Sequence, residues 1–71
     1  MKTLKELRQS AGLTQLDVAY RLGVTPHTVY MWETGKREPM AKAFLRLATL
    51  YGVSPFEIEL PEDSQEVKIA A

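Results

Sequence analysis

Few residues of this sequence could take part in covalent chemistry, and they do not gather. Cysteine is absent and His27 is the one imidazole among 71 residues, which removes thiol nucleophiles, disulfide frameworks, thiolate zinc sites and the usual imidazole metal sites together. The carboxylates are scattered, His27 has no nucleophile or metal-ligand partner, and no glycine-rich phosphate loop occurs, so no catalytic constellation or cofactor cradle assembles. The expectation is a non-enzyme with no cofactor and no metal. Non-covalent recognition is the chemistry that remains. Its donors, acceptors and cations lie in Gln15 and in the run Thr25, His27, Thr28, Tyr30, Met31, Thr34, Lys36, Arg37. These hydroxyl, imidazole, phenol, thioether and basic groups could hydrogen-bond, pack and attract an anion once one element turns them the same way.

A chain this short makes one domain. It buries only about 60% of the surface its unfolded form exposes, so without disulfides or metal it depends on close helix packing or on oligomerisation. Helix signals recur at short intervals. Thr3 with Glu6 three residues on forms a capping box; Leu4, Leu7, Arg8 and Ala11 follow at helical spacing, and Gly12 supplies a left-handed turn. Thr14 opens a second helix with the apolar stripe Val18, Ala19, Leu22, and with Asp17 in its first turn complementing the helix dipole; Gly23 stops it. Thr25 and Pro26 start a third, as hydroxyl cap and first-turn proline, which runs to about Thr34 before Gly35.

Lys36, Arg37, Glu38 and Pro39 then make a charged loop. A fourth helix runs from about Met40 to Tyr51, with Phe44, Leu47, Ala48 and Tyr51 inward and Gly52 closing it. Ser54 with Glu57 repeats the capping-box logic for a short fifth helix ending near Leu60 and Pro61. No strand alternation occurs before residue 66. The pattern predicts an all-α, compact five-helix domain over residues 1–60, with residues 61–71 outside it.

Net charge is zero, but the two ends differ. Residues 1–55 carry eight basic against four acidic side chains, a net of +4, whereas residues 56–71 carry one against five, a net of −4. A basic body that could meet a polyanion is thus followed by an acidic segment that would not. The N-terminal residues reach charge within six positions, and no stretch approaches the roughly 18 apolar residues of a membrane span. A cytoplasmic protein with no membrane partner is expected.

Only Gly23 and Val24 separate the last apolar residue of the second helix from the cap of the third. Two helices joined by so short a glycine-containing turn have the spacing of a helix-turn-helix, in which the second helix enters the DNA major groove. The residues Gly12, Leu13, Thr14, Gln15, then Val18, Ala19, Leu22, Gly23, Val24, Thr25, then Thr28, Val29, Trp32, Glu33, Gly35, Pro39, Leu47, Ala48, Gly52, Val53, Ser54 closely resemble the lambda-repressor and Cro type of helix-turn-helix family. The resemblance covers about residues 4–60. It implies a double-stranded DNA-binding transcriptional regulator, recognition through the third helix at about residues 26–34, a palindromic operator and a homodimer. It also implies phosphate contacts from Gln15 and the Thr25 region, which Thr34, Lys36 and Arg37 are placed to join.

A helical wheel referenced to Val29 puts Trp32, Glu33, Thr25 and Pro26 on the inner half of the third helix. His27 and Met31 point outward, Thr34 lies beside them, and Thr28 and Tyr30 flank them. Base contacts are expected from His27, Thr28, Tyr30 and Met31. Pro26 departs from the family pattern, where a polar residue often reads a base, and it moves readout onto these four. Trp32 belongs to the core. An inward Glu33 needs a cation, and the resemblance implies a structural ion pair with Arg8, the one basic residue on the inner stripe of the first helix.

Leu16 and Tyr20, four residues apart on the outer side of the second helix, form either a surface pair or a partner contact. The alternative function is a protein-interaction module on the same fold, an antitoxin or an anti-regulator. Beyond residue 60, Pro61 to Gln65 read as a solvated linker, and Val67 and Ile69 alternate with Glu66 and Lys68. The segment is expected to be a disordered acidic tail that repels DNA, with a short strand pairing across a second subunit as the alternative.

Overall fold

The computed structural model describes residues 1–61. Its elements run β1 (Lys2–Thr3), α1 (Leu4–Ser10), α2 (Gln15–Leu22), α3 (Pro26–Thr34), α4 (Ala41–Tyr51), a 3-10 turn (Pro55–Glu57) and β2 (Ile58–Glu59). Local chemistry sets most of these boundaries. At α1, the Thr3 hydroxyl accepts from the Glu6 amide at 3.2 Å and the Glu6 carboxylate accepts from the Thr3 amide at 3.0 Å. Thr14 and Asp17 make the same reciprocal pair at α2, at 3.0 and 2.9 Å. Both carboxyls are held below their ordinary pKa, chiefly by the backbone amide each accepts from.

At α3, the Thr25 hydroxyl accepts from the Thr28 amide at 3.1 Å and Pro26 fills the first position, where a missing N–H costs nothing. Gly23 ends α2 at φ +74°, a left-handed conformation in which its N–H returns to the Ala19 carbonyl and the chain reverses into the Thr25 cap. α4 starts one residue later than expected, at Ala41, with Met40 as a cap that makes no side-chain hydrogen bond.

The core joins Leu4 and Leu7 of α1, Val18, Ala19 and Leu22 of α2, Val29 and Trp32 of α3, Leu47 and Ala48 of α4, and Ile58. Phe44 and Tyr51, expected on the inner stripe of α4, pack against it only half-buried. α2 and α3 make the most extensive contact between any two elements.

Among the described residues, the expectation of five helices in an all-α domain is corrected to four α-helices plus one 3-10 turn. The Ser54 hydroxyl accepts from the Phe56 amide at 3.2 Å, while the Glu57 amide goes to the Ser54 carbonyl at 2.9 Å, so the expected capping box does not form. The chain then becomes extended at Ile58, φ −93° and ψ 128°. Two contacts favour that conformation over another helical turn: Ile58 is buried in the core, and β2 pairs in parallel with β1, Lys2 opposite Ile58 and Thr3 opposite Glu59. The expectation of no strand before residue 66 is corrected by the same pair. The tail reading, whether solvated or strand-forming, falls on residues 62–71 and so lies outside the described residues.

Candidate functional site

α3 divides into two faces. Val29 and Trp32 are buried, His27 and Tyr30 are exposed, and Thr28 and Met31 are half-buried, so Met31, expected outward, is more covered than Tyr30, expected on the flank. Thr25 and Pro26, placed on the inner half by the wheel, are exposed. The correction has a simple cause: Thr25 is the cap, extended at φ −86° and ψ 155°, so the 100° helical increment does not apply there, and Pro26 is the first residue of the helix beside it. The outer face is preformed. The rings of His27 and Tyr30 stack with centroids 6.0 Å apart and planes 23° apart, and the Thr25 and Thr28 hydroxyls share a hydrogen bond of 2.9 Å. Thr34 turns its hydroxyl back to the Tyr30 carbonyl at 2.9 Å, while Lys36 and Arg37 are exposed in the following loop.

A second constellation holds this face in position. Arg8 donates from Nε to Glu33 Oε2 at 2.6 Å and from Nη2 to Glu33 Oε1 at 3.2 Å, and its Nη1 reaches the Leu13 carbonyl at 3.0 Å. Gln15 Nε2 donates to Glu33 Oε1 at 3.1 Å. The two charged side chains are 11% and 3% exposed, so the pair is largely removed from water, and the bidentate geometry with added hydrogen bonds is what makes such burial tolerable. The Glu33 bond holds the Arg8 guanidinium above its ordinary pKa. Tyr51 of α4 sits in the field of the same pair, and burial, with Glu33 second, pushes its phenol up to about 12. One carboxylate of α3 thus ties together α1 and the first residue of α2, and Arg8 extends the network to the loop at Leu13.

The Arg8–Glu33 pair expected from the sequence is present. The Gln15 bond to Glu33 was not expected; the signal for it was Gln15 standing at the N-terminus of the helix packed on α3, beside a carboxylate with more acceptor capacity than Arg8 alone fills. Among the described residues, no group of three or more His, Asp or Glu side chains could hold a metal ion.

This is the arrangement of a helix-turn-helix, and a family model described as Helix-turn-helix matches residues 4–58. The chain belongs to that family. It is 37% identical over 62 residues to an uncharacterized HTH-type transcriptional regulator of Methanocaldococcus jannaschii, an alignment covering 87% of this chain and 94% of the relative. It is also 40% identical over 53 residues to the HTH-type transcriptional regulator ImmR of Bacillus subtilis, covering 75% of this chain but 42% of ImmR. No solved structure matches the chain significantly. Among the described residues no helix is long and apolar enough to cross a membrane.

Proposed function

We propose that this chain is a sequence-specific double-stranded DNA-binding transcriptional regulator that reads the major groove with α3 and works in the cytoplasm. The observation that carries the reading is the divided α3. Its inner side is fixed by Val29, Trp32 and the Glu33 network, and its outer side offers His27, Thr28, Tyr30 and Met31 in a preset arrangement. His27 and Thr28 can hydrogen-bond base edges, and Tyr30 and Met31 can cover thymine methyls. Gln15 uses one amide hydrogen on Glu33 and keeps a second, together with the backbone N–H groups of the first turn of α2, for phosphate. Thr25, Thr34, Lys36 and Arg37 complete the phosphate contacts, which set register rather than sequence.

One such module covers little DNA, so the same reading includes a homodimer on a palindromic operator with half-sites about one helical turn apart. The groove of about 400 Å³ bordered by Met1, Leu7, Val53 and Phe56 supports a place for the second copy. Phe56 is 91% exposed beside it, an apolar ring that a two-fold partner would cover.

The second reading, a protein-interaction module of antitoxin or anti-regulator type, draws on Leu16 and Tyr20 of α2, which are 65% and 86% exposed, and on Pro26, which brings no hydrogen-bonding side chain to the start of α3. Selection from a random duplex pool separates the two. An enriched palindrome supports the regulator, and no enrichment at low salt supports the interaction module.

A further inference from the structure

The nine residues of α3, Pro26–Thr34, include no Lys, Arg, Asn or Gln. Those are the side chains that make paired hydrogen bonds to a base edge, Arg and Lys to O6 and N7 of guanine, Asn and Gln to N6 and N7 of adenine. Glu33, the one α3 residue able to accept from the cytosine amino group, is 3% exposed and taken up by Arg8 and Gln15. Bidentate readout is therefore not open to α3. Its single hydroxyls are partly engaged as well: Thr28 shares a hydrogen bond of 2.9 Å with Thr25, and Thr34 gives its proton to the Tyr30 carbonyl at 2.9 Å.

What the outer face offers instead is polarisable surface. Tyr30 is 42% exposed, and its ring is stacked on that of His27 with centroids 6.0 Å apart, so the two rings steady one another. Met31, the next residue, is half-buried, leaving part of a flexible thioether open to a ligand. An aromatic ring and a thioether suit a methyl group, and thymine is the one ordinary base that carries a methyl in the major groove. We propose that Tyr30 and Met31 select thymine through its 5-methyl group, so that at the positions they cover the methyl, rather than the pattern of donors and acceptors, decides which pyrimidine is bound. The proposal rests on α3 being the reading helix and specifies what that helix reads. His27 keeps a hydrogen bond to a base edge beside these contacts. One methyl discriminates modestly, since burying it is worth about fourfold in affinity. A half-site must therefore present thymine under each of the two side chains.

The test uses the full chain and the duplex enriched from a random pool, with each thymine of a half-site replaced in turn by uracil. Uracil pairs as thymine does and lacks only the methyl. The expected result is a loss of about fourfold at each of two thymines and about sixteenfold when both are replaced, with the other thymines indifferent. Cytosine in place of either thymine, paired with guanine, should weaken binding, and 5-methylcytosine there should recover about fourfold. Met31→Ala should make the protein indifferent to uracil at one of the two positions, and Tyr30→Ala at the other. An enriched duplex in which uracil at every thymine leaves affinity unchanged overturns the proposal without any variant, and leaves α3 as the reading helix intact. An enriched half-site with no recurrent thymine also overturns it, in favour of hydrogen-bond readout by His27, Lys36 or Arg37. Uracil losses that persist in full in both Tyr30→Ala and Met31→Ala overturn it in favour of a methyl contact elsewhere or of duplex shape. A pool that yields no enriched duplex overturns the reading of α3 and this proposal together.

Discussion

Removing Arg8 tests the network that fixes α3, and its size can be worked out beforehand. Arg8→Ala deletes both hydrogen bonds to Glu33 and the one to Leu13, leaving a carboxylate that is 3% exposed with only the Gln15 amide as a partner. Breaking a buried pair from one side costs about 3–5 kcal/mol, because the remaining charge is stranded. At about 0.05–0.15 kcal/mol per residue, a 71-residue chain has about 4–11 kcal/mol in total. The loss is therefore a large fraction of the stability, and at about 4–8 °C per kcal/mol it lowers Tm by about 12 °C at least. Urea and thermal unfolding followed by circular dichroism at pH 7 measure it. Replacing both partners with apolar residues, Arg8→Met with Glu33→Leu, strands no charge and should cost less than Arg8→Ala alone. A loss under about 1 kcal/mol for Arg8→Ala, or a double replacement as costly as the sum of the single ones, would refute the argument that a dehydrated ion pair positions α3.

Three further outcomes are expected. The capping carboxyls of Glu6 and Asp17 have folded pKa values below their unfolded ones, so their contribution is present above about pH 4.5 and is lost as pH falls through the folded values; Asp17→Asn should flatten the acid limb of a Tm–pH curve, and an unchanged limb would contradict it. The Tyr51 phenol, pushed up to about 12, contributes stability that is complete below about pH 10 and is lost as pH rises toward 12; Tyr51→Phe should remove that alkaline slope in the same assay. Phe56→Asp should shift sedimentation toward monomer and weaken binding to a two-half-site duplex at least tenfold while leaving Tm within a few degrees, and an unchanged oligomer would remove Phe56 from the interface.

The parts of the fold legible in the sequence are those set by local chemistry. Thr3 with Glu6, Thr14, and Thr25 with Pro26 mark helix starts because a hydroxyl or a ring acts on its own next few residues, and Gly23, Gly35 and Gly52 mark stops because each takes a left-handed conformation. The inner stripe of α2 is equally legible, since Val18, Ala19 and Leu22 are all buried. What escaped depends on distant partners. Two-residue strands have no period to read, and Ile58 is extended because Lys2 and the core receive it, not because of its neighbours. At the site, the need of Glu33 for a cation could be inferred from its helix face, and the resemblance supplied Arg8, but the Gln15 bond requires knowing how α2 lies on α3. The face angles failed at Thr25 and Pro26, where the helix had scarcely begun, and they ranked Met31 as more outward than Tyr30, the reverse of the exposure found.

The central claim is that α3 reads bases while its surroundings hold phosphate. It is tested most directly by binding isotherms of wild type, His27→Ala and Gln15→Ala against the selected duplex and its single base-pair variants, at fixed salt. If α3 reads bases, His27→Ala loses about 1–3 kcal/mol of discrimination at one or two base pairs and little elsewhere. Under the same reading, Gln15→Ala weakens every duplex by the same factor. If both proteins lose affinity evenly across all the duplexes, α3 is not the reading helix and the account is contradicted.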